Sequence, residues 1–260
     1  MKSASGVLAL VLAESAAGGA AFLFLTPLWN EVKRGFFYLT GGILLVLAVG
    51  AAAAAGSGAA FSRSEPAATA RLFAFILGGA IIVGLGLLAW RRPRAARAVG
   101  LGAVGAAAAM LVFFARATGD SFSLSLFQLL AGAVFTGAVL DGLLLGHWYL
   151  TDRKLPRGPI NRMAWVLIGA VLIEAVAVLA SLGIPESSAP TSLSPLLTVA
   201  GNATWIAFGM VACTGLIAAF IRMTLRGARP AAVQSATGFF YLAVITAFTA
   251  ELAAKVRLLR

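Results

Sequence analysis

Four carboxylic acids, Glu14, Asp141, Glu174 and Glu251, stand inside long apolar stretches of this sequence. A charged side chain at the centre of a lipid bilayer costs about 2.5–3.5 kcal/mol on insertion scales. A carboxyl escapes that cost by holding a proton or by finding a partner, and acids in such positions serve in proton relays. Glu174 has only Ala, Val, Leu and Ile within a helical turn, so a partner must come from another helix. Without a donor or water there, it is expected to be protonated at neutral pH. Glu251 precedes Lys255 by four residues, the better orientation for a same-face pair, and reads as an ion pair at the outer end of its helix. Glu14 lies in Ala13-Glu14-Ser15-Ala16-Ala17-Gly18-Gly19, where small neighbours admit the close approach of a helix or a ligand. No Lys or Arg is expected near the bilayer centre to pair with these acids.

His147 is the single histidine, which excludes bis-His haem ligation and His-rich metal sites within this chain. It could ligate one haem together with Met, accept a proton or hydrogen-bond a quinone, and is the one candidate for cofactor binding. Beside Trp148 and Tyr149 it also reads as an interface residue. Asp141 and His147 are six residues apart, about 120° around a helix, so they face different ways. Asp141 is expected to face a water pocket on the cytoplasmic side, with Tyr149 a further proton-relay or binding candidate. Cys213, the only cysteine, excludes an internal disulfide and any cysteine-based metal cluster and reads as a buried packing thiol. There is no phosphate-binding loop, dinucleotide fingerprint, His-Glu-x-x-His or nucleophile elbow, which argues against a hydrolase or an ATPase.

The elements that must position these residues are membrane helices. The chain has 260 residues, 61% of them hydrophobic and 11% charged, against about 45–50% and about 25% in soluble domains. Spans of about 20 apolar residues cross a bilayer, and the sequence predicts eight, at 4–28, 35–61, 69–90, 95–116, 123–150, 162–184, 196–222 and 233–257. The fold class is an all-α polytopic bundle forming one transmembrane domain. The first span is too long for the apolar core of a cleaved signal peptide and reads as a retained helix.

The net charge of +11 comes from Lys and Arg in short connectors, where they direct topology rather than bind nucleic acid. Connectors after the first, third, fifth and seventh spans carry thirteen basic residues and the other side seven. The first side is therefore expected to be cytoplasmic, with both termini outside the inner (plasma) membrane. Trp29, Trp90, Trp148 and Trp165 fall on the same side, as interfacial aromatics do. Counted from these Trp residues and Tyr241 at about 1.5 Å per residue, Asp141 lies about 10 Å deep, Glu174 about 13 Å, Glu251 about 15 Å and Glu14 about 22 Å. That stagger would suit a proton ladder.

Phe36-Phe37-Tyr38-Leu39, His147-Trp148-Tyr149-Leu150 and Phe239-Phe240-Tyr241-Leu242 share an aromatic-Tyr-Leu pattern. They suggest repeated helix hairpins, the first two spans matching the last two, with a pocket between them lined by Glu14 and Glu251. Gly146-His147-Trp148-Tyr149-Leu150 and its basic loop resemble a segment of uncharacterised bacterial multi-pass membrane proteins, a resemblance of one helix that implies no activity. The helix count and the acid in the first helix also resemble the quinol-handling membrane subunits of the polysulfide reductase type, with no motif residue in common. The functional expectation is a subunit of a respiratory or other energy-transducing complex, handling protons or quinone beside other membrane subunits. The alternatives are a proton-coupled transporter and a structural scaffold.

Overall fold

The computed structural model describes residues 4–57, 64–118, 121–152, 154–182, 202–227 and 231–258, with side chains through Val256. The Ser- and Pro-rich connector beyond Leu182 lies outside the described residues, as do Lys2, Arg63, Arg153, Arg229, Arg260 and the side chain of Arg257. Among the described residues the elements are all helices: α1 (Ala4–Leu25), α2 (Leu28–Glu31), α3 (Arg34–Ser57), α4 (Glu65–Ala89), α5 (Pro93–Ala117), α6 (Phe122–Thr151), α7 (Gly158–Ala180), α8 (Asn202–Leu225) and α9 (Ala231–Leu258). All but the four-residue α2 are long and apolar enough to cross a membrane, giving the expected eight spans.

Three helices begin earlier than hydropathy suggested because their first turns hold proline. Ser64 caps α4, its hydroxyl accepting from the Ala67 N–H at 3.4 Å with Pro66 in the first turn, and Pro93 and Pro159 open α5 and α7. Proline suits that turn because its missing N–H would have no helical partner there. The α4–α5 turn is tight and places Arg91 at φ 55°, in the left-handed region.

The bundle is organised around α1 and α6, whose spans are 78% and 83% buried. Helix α1 packs against α3, α5, α6 and α9, and α6 in turn packs against α3, α5, α7 and α9. Between apolar helices in lipid no hydrophobic effect remains, so contact area and small residues hold the pair. A Cβ on Gly18 would lie 1.7 Å from the Ala133 carbonyl oxygen, and one on Gly137 would lie 2.5 Å from the Gly18 carbonyl carbon. The two central backbones therefore touch where only glycine fits. Buried hydroxyls of the two central helices turn back on their own backbone, Ser15 to Val11 at 2.7 Å and Thr136 to Gly132 at 2.7 Å, which satisfies these donors within the apolar interior.

Basic connectors meet at one end of the bundle. Lys33 pairs with Asp152 at 2.9 Å, Arg162 with Glu31, and Arg157 donates to the Gly227 carbonyl at 2.5 Å. The loops after α1, α6 and α8 thus share one face, with Trp148 against Phe36 and the Arg222 guanidinium over Trp165.

Two expectations fail here. Cys213 is exposed on the apolar exterior of α8 rather than buried, because the inner face of that helix is set by Val211, Thr214 and Ala218. The first and last hairpins differ in neighbour order: α1 is central, whereas its counterpart α8 packs against only α7 and α9 among the more extensive contacts of the described residues. Tyr149 is buried while Tyr38 and Tyr241 are exposed, so the three aromatic segments do not repeat one environment.

Candidate functional site

Polar groups from α1, α6, α7 and α9 converge in the half of the bundle away from the basic face. The Lys255 ammonium sits 2.8 Å from Glu14 Oε1 and 2.8 Å from Glu251 Oε2, and donates to the Gln128 carbonyl at 3.1 Å. Side-chain exposure is 1% for Lys255 and 0% for both acids, so water cannot screen these pairs. Glu174 comes from α7 to face Glu251, with Lys255 and Glu14 as its other charged neighbours. One ammonium thus stands among three carboxyls and pairs with two of them.

Sequence explains how each group arrives. Glu251 and Lys255, four apart on α9, present one face. Glu14 reaches the ammonium across the α1–α6 contact because α6 offers Gly132 there. A Cβ at that position would stand 2.6 Å from Glu14 Oε1. Glu174 projects from the buried stripe of α7, in register with Ala170, Val171, Ala177 and Val178.

This arrangement corrects two expectations. A cation does lie among the acids: Lys255 is an interior residue, not part of the outer connector, because α9 continues past it to Leu258. The four acids are not evenly staggered either, since three of them gather in one place. The depth of Glu14 was overstated by counting from Trp29 through a continuous helix. Helix α1 ends at Leu25 and Trp29 belongs to the separate α2, so Glu14 lies about 16 Å along α1 from that end, level with Glu174 and Glu251. Glu14 and Glu251 are neighbours as expected, through Lys255 rather than through matched hairpins.

Asp141 stands apart. It is nine residues beyond Gly132 on α6, about 14 Å along the axis. The residue is fully buried, and neither carboxyl oxygen has a hydrogen-bond partner among the described residues. The helices packed there leave little room around it: a Cβ on Gly142 would meet Phe240 at 2.1 Å and one on Gly146 would meet Thr237 at 2.6 Å. At the basic end, a cavity of about 510 Å³ is lined by Tyr149, Leu155, Arg157 and Gln234, without Asp141 in its wall. The Tyr149 hydroxyl donates to the Pro156 carbonyl at 2.5 Å, pinning the α6–α7 connector. His147 is exposed on the other side of α6 and joins neither Asp141 nor the cluster.

Beside the cluster, Gln128, Glu174, Ser181 and Lys255 line a cavity of about 10 Å³, the size that holds one water molecule. A second cleft, between α1, α5 and α6, has a volume of about 350 Å³ and apolar walls that include Ala17, Phe22, Leu111 and Val134.

Sequence reasoning missed Lys255 and Gln128 as site residues. The spacing of Lys255 from Glu251 did predict their pair, which forms at 2.8 Å, but the pair was expected at the outer end of the helix and not beside Glu14. Gln128 contributes a backbone carbonyl, for which no side-chain signal exists. No protein-family model, curated protein or solved structure matches the chain.

Proposed function

We propose that this chain is a proton-handling integral membrane protein, working as a subunit of an energy-transducing complex. One observation carries the reading: three buried carboxyls from separate helices gather around a single buried ammonium, two of them in contact with it. With one positive charge among three acids, the fully ionised cluster would hold two uncompensated negative charges in a medium that penalises even one. Protons are the smallest species that can balance it, and helix motions that change the distance between Lys255 and any one acid would take up or release them. The cluster's size favours protons over quinone, since its cavity accommodates a water molecule and not a ring.

In this reading the basic face lies in the cytoplasm, as the positive-inside bias favours, and the cluster lies nearer the opposite face of the plasma membrane. Labelling of single cysteines in the Arg91–Arg97 loop from outside intact cells would refute that orientation.

The functional test is reconstitution of the purified protein in liposomes holding a pH-sensitive dye, with purification from native membranes alongside. Stable redox partners together with pH-linked protonation of the chain support the proposal. An isolated oligomer that couples proton entry to solute uptake moves the protein to the transporter class. A wild-type chain that neither binds nor moves protons between pH 5 and 9 overturns it.

A further inference from the structure

Glu14, Glu174 and Glu251 are not equivalent. Glu14 and Glu251 each hold the Lys255 ammonium at 2.8 Å. Glu174 makes no ion pair with Lys255 among the described residues and faces the Glu251 carboxyl instead. It is also the only one of the three in the wall of the one-water cavity, which it shares with Ser181 at the end of α7. Glu174 lies six residues before Ala180, about 9 Å from that end of the helix. Glu14 stands near the middle of α1, ten residues from Ala4.

We infer that Glu174 is the carboxyl through which the cluster exchanges its proton with water on the face opposite the basic connectors. The inference rests on the proton-handling reading above and assigns it an entry residue. The cavity that Ser181 and Glu174 line has room for one water. A hydronium arriving there gives its proton to the Glu174 carboxylate, leaving water and a neutral acid. Glu174 faces Glu251, so the proton can pass to the Glu251 carboxylate when Lys255 leans toward Glu14, and Glu174 is left ionised for the next. Lys255 stays an ammonium throughout as the fixed counter-charge. The charged groups facing Glu174 are Glu251 and Lys255 from α9 and Glu14 from α1, and α6 adds the neutral Gln128. Helix α8 carries Arg222 in its last turn, at the opposite end, and Arg226 follows that helix.

Infrared difference spectra of the full-length protein, taken across a pH titration in H₂O and in D₂O, test this directly. Wild type is expected to show a deuterium-sensitive protonated-carboxyl band. Glu174→Gln should abolish it, Glu174→Asp should shift its frequency, and Asp141→Asn should leave it in place. Ala177→Val fills the cavity without removing a carboxyl, and should keep the band while slowing its proton–deuteron exchange at least tenfold. A band that survives Glu174→Gln unchanged, or exchange at the wild-type rate in Ala177→Val, overturns the assignment of Glu174 and leaves proton handling standing. A wild-type protein with no titrating band overturns both. Where Glu174→Gln does not fold, the Glu174→Asp shift and the Ala177→Val exchange rate decide between the same outcomes.

Discussion

The Lys255 cluster and Asp141 both hold buried carboxylic acids in the apolar interior, about 14 Å apart along α6, yet the groups that face them differ completely. The cluster has a cation inside it, a backbone carbonyl to complete the ammonium's shell, a glycine that makes room for Glu14, and space for a water. Asp141 has none of these among the described residues. An acid alone in an apolar site has its charge opposed by everything around it. An acid beside a buried ammonium is held by a partner whose own burial depends on it. The cluster therefore couples charge to helix packing, and changes at Asp141 should leave both the cluster's titration and the packing alone.

The largest effect should come from Lys255→Met, which strands three carboxyls. Losing one partner of a buried pair costs about 3–5 kcal/mol, so chemical unfolding in bicelles should shift by that much, with part recovered when Glu14→Gln and Glu251→Gln are added. Wild-type stability in the single variant would remove the cluster's structural role. Next comes Gly18→Ala, whose Cβ meets the Ala133 carbonyl. Overpacking of this kind costs about 1–3 kcal/mol and should act through the α1–α6 contact without altering the carboxyl titration. Gly132→Ala meets only the far end of the Glu14 side chain. It is expected to cost about 1 kcal/mol and, unlike Gly18→Ala, to change the infrared titration by displacing Glu14 from Lys255. Asp141→Asn keeps the shape and removes the charge, so unfolding should move by less than about 1 kcal/mol. A loss above about 2 kcal/mol would show that Asp141 has a partner and that the contrast with the cluster is false. The smallest effect is Cys213→Ser, within about 0.5 kcal/mol, as expected for a change outside the packed core.

The membrane fold was legible in the sequence because hydropathy acts locally. Twenty apolar residues in a row satisfy their backbone only as a helix when lipid is the solvent, whatever the other helices do. The pooling of basic connectors on one face was legible for the same reason, and the ion pairs Lys33–Asp152 and Arg162–Glu31 join loops that charge counting had already grouped. The acids themselves were also visible, since a carboxyl in an apolar run stands out without any knowledge of its neighbours.

Which acids meet was settled only by tertiary structure. Glu14 and Lys255 lie at opposite ends of the chain, and their contact depends on α1 and α9 both packing against α6, with Gly132 between them. No local pattern encodes that meeting. Helix depth failed as a guide for Glu14 because a break of two residues, Thr26 and Pro27, separates α1 from the Trp that marked the interface. Sequence alone determined that this protein spans a membrane eight times and carries acids within it, because the free energy of each segment in lipid is a property of that segment. The bundle decided that three acids share one lysine and a fourth has none, because pairing is a property of the space between helices.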